Sequence, residues 1–217
     1  MAMVIDLETV AIDGAGSLVE PVSAPANYKD EAKIAAYIAE AQKAQLDKAA
    51  LYPWTARIVA LGWCEETDEI EHVAICNSEA REATVLREFW ERVVDSRGSV
   101  THLVTFNGRS FDLLVLMARS RMLGVTAPVL NVDKYRSPHP DLMQILTFNG
   151  AIPARSLGWY ARRFGLNTDD AFSGKEIAQL VADANWDAVT AHCASDVRLT
   201  RQLAERLGVL RPRPVAA

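Results

Sequence analysis

Apolar positions along this chain switch between two periods. Residues 3–5 run apolar straight into Asp6-Leu7-Glu8, the pattern of a first strand that ends in charge. Two β-branched runs, 57–63 and 70–76, flank the polar segment 64–69 and predict a hairpin. Residues 102–106 read as a short buried strand. Elsewhere the apolar spacing is that of helices. Residues 79–95 set Ala83, Leu86, Phe89, Trp90 and Val93 on one side of a helix. Residues 110–123 predict another, with Ser110 as its cap. A short helix over 141–148 is capped by Asp141. One over 156–164 places Leu157, Ala161 and Phe164 on one side and ends at Gly165. Helices over 174–182 and 186–207 complete a helical C-terminal half.

One segment interrupts this order. After the turn at 13–17 and a Pro/Ala/Ser-rich connector at 21–27, residues 28–51 become alanine-rich with mixed charge. Ile34, Tyr37 and Ile38 recur at helical spacing and predict an exposed amphipathic helix. The whole insert spans about 20–55. The element order predicts an α/β fold: a mixed β-sheet flanked by α-helices, with an inserted helix after the first strand. No internal repeat is present. The chain has 217 residues, half of them hydrophobic, which suits a single domain over 1–210 with a frayed tail at 211–217.

The formal net charge is −5, which does not advertise nucleic-acid binding. Clustered carboxylates that hold divalent ions lower the balance themselves, so a nuclease is compatible with it. Its grip would be transient and salt-sensitive. Cys64, Cys76 and Cys193 show no metal-ligand spacing and read as reduced, buried thiols. The N-terminus lacks the pattern of a secretory signal, and no apolar run reaches membrane-spanning length. The expectation is a cytoplasmic protein with no membrane partner.

Three places carry candidate chemistry. Residues two apart on a strand point to one face, so Asp6 and Glu8 converge. Such a pair needs a cation or a proton, and oxygen donors suit Mg²⁺ or Mn²⁺. The ordinary alternative is a solvent-facing pair at a strand end. In Phe106-Asn107-Gly108-Arg109-Ser110-Phe111-Asp112 a strand ends, a turn follows, and Asp112 enters the first turn of a helix. A favourable helix dipole explains a carboxylate there; a site at a strand end explains it equally. Asn107 can bond into that crevice, and Phe111 either faces the core or stacks on a base. His192 and Asp196 stand four apart on one helical face, as a site pair or as an ordinary surface pair. Together they supply four carboxylates and a proton carrier from three elements, about what two-metal phosphodiester hydrolysis needs.

Asp6-x-Glu8, Asn107-x-x-x-Phe111-Asp112 and His192-x-x-x-Asp196, in that order, resemble the three motifs of the DEDD 3′→5′ exonucleases, which have an RNase H-like fold. The wider chain resembles a narrower group, predicted exonucleases related to the proofreading domain of family B DNA polymerases. His139-Pro140-Asp141-Leu142, Ser156-Leu157, Phe164-Gly165-Leu166, Ser173-Gly174-Lys175 and Asp196-Val197-x-x-Thr200 carry that similarity. The insert that starts at Pro25-Ala26-Asn27-Tyr28-Lys29-Asp30 is similar to versions carried by phages and prophages. One position departs from the pattern. The third motif has the spacing of the branch that uses Tyr-x-x-x-Asp, but the residue is His192. The resemblance therefore implies activity with a pH profile unlike that of a tyrosine enzyme.

The resemblance implies that Asp6, Glu8, Asp112 and Asp196 hold two divalent ions, Mg²⁺ or Mn²⁺, and that His192 positions and deprotonates the water. It places Asn107 near the 3′ end of the strand. It sets the backbone around Leu7 and Thr9 against the terminal sugar, with Leu7 wedging a base. The implied reaction is hydrolysis at the 3′ end of DNA, releasing nucleoside 5′-monophosphates, with a polymerase or a replication or repair partner in trans. The rivals are an exoribonuclease on the same scaffold and a non-catalytic nucleic-acid-binding module. Weaker features are Asp141 as a further ligand rather than a cap, an Arg/Trp face of Trp159, Arg162 and Arg163, and a clamp formed by Lys29, Lys33, Lys43 and Lys48.

Overall fold

A computed structural model describes residues 2–168 and 173–212, with the side chain of Asp47 left aside. The end of the expected tail, beyond 212, lies outside the described residues. The sheet order is β3-β2-β1-β4. Strand β1 (Ala2–Ala11) pairs antiparallel with β2 (Ala56–Glu65), and β2 antiparallel with β3 (His72–Ile75). On its other edge β1 pairs parallel with β4 (His102–Val104). The sheet is thus mixed, as the sequence predicts, and the strands preceding the first two motifs are neighbours.

Alternation along β1 separates two cores. Met3, Ile5 and Leu7 pack with Ile58 and Leu61 beneath α2 (Glu79–Val93) and α3 (Asp112–Met122). Val4 points the other way, joining Cys64, Leu142, Tyr160, Val197 and Leu203. That side is covered by α4 (Leu142–Leu146), α5 (Leu157–Arg163), α6 (Ile177–Ala182) and α7 (Trp186–Arg206). Because side chains alternate, Asp6 and Glu8 share the face of Val4 and meet α7.

Strand β2 breaks its own alternation. Ile58 and Leu61 lie on the α2/α3 side, while the adjacent Val59 and Ala60 both lie on the α6/α7 side. The pairing register slips at the same place: Glu8 faces Ala60, yet Thr9 faces Ile58. This is a β-bulge beside Glu8. It is held from the opposite face, where the Glu82 carboxylate accepts the Ile58 N–H at 3.0 Å. Glu82 also takes the buried Arg119 guanidinium through two bonds of 2.7 Å.

The insert forms α1 (Glu31–Ala49), capped by Asp30, whose carboxylate accepts the N–H of Ala32 and Lys33. It lies largely exposed, with Ile34 and Ile38 half-buried. The Thr9 hydroxyl donates to the Ala50 carbonyl at 2.7 Å and ties the helix end back to β1. Two local expectations are corrected. Ser110 does not cap α3: a turn bonds Ser110 N–H to the Asn107 carbonyl, so the helix starts at Asp112 and Phe111 occupies the cap position. The helix expected over 174–182 begins as a 3-10 turn, Gly174–Glu176, closed by the Ser173 and Glu176 capping box, before α6 starts. Among the described residues, no helix is long and apolar enough to cross a membrane.

Gly62 sets the distance between α7 and the sheet. A Cβ there would lie 2.7 Å from both Cys193 Sγ and Val197 Cγ2. Gly62→Ala should therefore cost about 1–3 kcal/mol of stability by overpacking, read by urea unfolding. A variant as stable as the wild type would mean that α7 backs away from the sheet freely.

Candidate active site

Strand β4 is short. Its pairing with β1 ends at Val4, so the β1 edge is open beyond that point. Asp112, the first residue of α3, fills the gap: its Oδ1 accepts the Leu7 N–H at 3.1 Å. The second-motif carboxylate is therefore fastened to the backbone between Asp6 and Glu8. From the other side α7 brings His192 and Asp196. His192 Nε2 lies 3.5 Å from Glu8 Oε1 and 4.0 Å from Asp196 Oδ2. One donor atom each from Glu8, His192 and Asp196 falls within 4.8 Å of the others, and so does one each from Asp6, Glu8 and Cys193. The three motifs come together.

Crowding and burial dominate the electrostatics. Burial, then the charges of Asp196, Asp112 and Glu8, hold the Asp6 carboxyl well above the usual range. Burial likewise pushes Asp112 up to about 7, against the pull of its own N–H and that of Leu7, with Asp141 and Asp196 adding to the rise. The cluster resists full ionisation unless positive charge enters. Cys193 is no competitor for an ion. Burial raises its thiol far above the ordinary value, and it is packed against Gly62. The donors that remain are carboxylate oxygens and one imidazole, a set that fits Mg²⁺ or Mn²⁺.

Residues 51–211 match the family described as predicted 3′-5′ exonucleases related to the exonuclease domain of PolB. The chain belongs to this family. The matched span holds the second and third motifs, while Asp6 and Glu8 precede it. A solved family B DNA polymerase from the hyperthermophilic archaeon Pyrobaculum calidifontis is similar in structure, with a TM-score of 0.61 at 20% sequence identity. The likeness covers 95% of this chain and 24% of the polymerase. It supports the fold, a mixed α/β sheet consistent with the RNase H-like class. Comparison with curated proteins finds no match.

Within this exonuclease family fold, the remaining predicted residues are placed as follows. Asn107 is half-buried and left-handed, with φ of 69°. Phe111 packs against the α2/α3 core rather than standing open. The Leu7 side chain is 6% exposed in that same core, which leaves its backbone, not its side chain, at the site. The Thr9 hydroxyl is engaged by Ala50. Trp159, Arg162 and Arg163 are exposed, opposite the buried Ala161. Gly174 approaches His192, since a Cβ there would lie 4.0 Å from Nε2.

Asp141 is the residue whose place the sequence reading underestimated. It does cap α4, accepting the N–H of Met143 and Gln144. The same fully buried carboxylate also accepts the N–H of Asn107 at 3.0 Å and of Arg109 at 3.2 Å. It thereby fixes the turn that delivers Asp112. The one signal for this in the sequence is an aspartate at a helix start. Asp141→Ala would strand four amides and should cost about 3 kcal/mol or more, seen as a lower unfolding midpoint. An unchanged midpoint would mean that the turn holds itself.

The raised Asp112 carboxyl also fixes the sign of a pH effect. Its folded pKa of about 7 exceeds the ordinary aspartate value of 3.8. Between these values the folded state binds more protons than the unfolded one, so metal-free stability falls as pH rises from about 4 to 7. Asp6 acts in the same direction. Thermal melts in EDTA should show this decline, and Mn²⁺ should raise the melting temperature more at pH 8 than at pH 5. An equal shift at both pH values would mean that the ion does not bind this cluster.

Proposed function

We propose that the chain removes single nucleotides from the 3′ end of a DNA strand, releasing nucleoside 5′-monophosphates. The convergence of Asp6, Glu8, Asp112, His192 and Asp196 from β1, α3 and α7 carries this reading. The four carboxylates would hold two divalent ions, Mg²⁺ or Mn²⁺. When bound, such ions supply an activated water and steady the leaving oxygen.

The chain's own residues divide the remaining work. His192 stands between Glu8 and Asp196, where its imidazole can take a proton from a water. It occupies the place in the motif where tyrosine would orient that water. Asn107, half-buried in its left-handed turn, would contact the strand near its end. The β1 backbone around Leu7 and Thr9 would face the terminal sugar. The single domain over 1–210 would include the insert, with α1 bound to β1 through Thr9.

A time course on a 5′-labelled single-stranded DNA oligomer with Mg²⁺, Mn²⁺ or EDTA tests the reading. A ladder shortening by one nucleotide at a time is expected with either metal and not with EDTA or Asp6→Ala. His192→Phe should lower kcat by about 10²–10⁴ while retaining the Mn²⁺-dependent rise in melting temperature. A matched RNA strand run alongside measures the choice of sugar. DNA and RNA left intact in every metal would overturn the enzyme reading in favour of a binding module.

A further inference from the structure

Beside the carboxylate cluster, a second concavity of about 530 Å³ opens between the turn that follows Asp133 and the end of α4. Arg109 forms part of its wall. That residue lies three positions before Asp112, in the turn that Asp141 holds. Lys134, Tyr135 and Phe148 line it further out.

Two large rings stand in water there. Tyr135 is 77% exposed and Phe148 is 71% exposed. Phe148 does not reach that position by relaxed geometry. It has φ of 52°, and Asn149 after it has φ of 57°. Left-handed backbone is unfavourable for a bulky side chain. The turn is nevertheless pinned: Asn149 N–H donates to the Gln144 carbonyl at 2.7 Å, and Gly150 N–H to the Thr147 hydroxyl at 3.2 Å. The fold spends conformational strain to present an aromatic ring outward.

Lys134 is the exposed cation against these rings, since Arg109 is mostly buried and its Nε lies 3.9 Å from the buried Asp141 carboxylate. Lys134 Nζ lies 5.4 Å from the centre of the Tyr135 ring. Among the described residues, no carboxylate lies within ion-pair distance of Lys134. The neighbouring acids are already engaged. Asp133 Oδ1 accepts the N–H of Tyr135 and of Arg136, and Asp141 accepts four amides. Arg109 is fixed in the wall by bonds from Nη1 to the carbonyls of Asp133 and Lys134.

Exposed rings beside an exposed lysine match a polyanion that carries flat bases. We propose that this cavity is a subsite for the nucleic-acid strand upstream of the two terminal nucleotides, with bases stacking on Tyr135 and Phe148 and phosphates facing Lys134. The identity of the strand rests on the exonuclease reading above.

Two measurements on the full chain separate the subsite from the catalytic reading. One is the binding of a fluorescent single-stranded DNA of about eight nucleotides, followed by anisotropy at low salt in EDTA. The other is cleavage of a dinucleotide with Mn²⁺. Phe148→Ala and Lys134→Ala should each weaken binding of the longer strand about tenfold and leave kcat/KM on the dinucleotide unchanged. Lys134→Ala should also flatten the dependence of log affinity on log salt by about 0.7. Both side chains are exposed, and Tyr135→Ala provides a third variant with the same expectation. Unchanged affinity in all three variants would overturn the subsite, as would a wild type that binds the longer strand no tighter than the dinucleotide. Weakened binding in a chain that cleaves neither substrate would support the subsite and count against the exonuclease.

Discussion

The repulsion among Asp6, Glu8, Asp112 and Asp196 is the constraint that the surrounding structure must withstand. Unopposed, four partly buried carboxylates would drive β1, α3 and α7 apart. Each element is instead fastened by contacts that outlast the repulsion. Asp112 is tied to the Leu7 amide. The turn before it is tied to Asp141. Helix α7 is seated on Gly62, with Cys193 and Val197 at the contact. The cores on the two faces of the sheet supply the stability that the site itself withdraws. Burial first, and the neighbouring carboxylates after it, push the Asp6 and Asp112 carboxyls up, so protonation relieves part of the repulsion when no cation is present.

The same logic explains the ion pair on the far side of the sheet. Arg119 and Glu82 are almost fully buried, an arrangement that desolvation makes expensive and that rarely stabilises outright. Here Glu82 has a further task. It satisfies the Ile58 amide at the bulge beside Glu8. An apolar pair would fill the volume but would leave that amide without an acceptor. The buried charge is thus coupled to the local twist of β2, and through the register to the place where Glu8 stands.

The site was legible in the sequence where periodicity alone decides geometry. Asp6 and Glu8 share a face because strands alternate, and His192 and Asp196 share one because helices repeat every 3.6 residues. Neither inference needs tertiary contacts. What escaped depends on them. The bulge at Val59 and Ala60 breaks the alternation without a glycine or proline to announce it. The role of Asp141 arises from amides 32 and 34 residues away along the chain. Helix capping, readable locally, accounts for half of its bonds. Ser110 was misread because a cap depends on where the preceding turn releases the chain, and that turn is set by Asp141.

Net charge is a poor guide to a protein of this design, because positive and negative groups do different work in different places. Four of the 28 acidic residues converge in one cluster, and the others are spread over the rest of the chain. What a phosphate backbone meets is the local potential within about a Debye length, some 8–10 Å at physiological salt. Around the two exposed rings Lys134 stands outside ion-pair distance of any carboxylate among the described residues, whereas Arg109 is paired with Asp141. A strand that approaches a carboxylate cluster is repelled until ions neutralise it. A cationic aromatic surface beside the cluster offers the strand a hold that does not depend on those ions. Separating grip from chemistry in this way lets an acidic chain handle an acidic polymer.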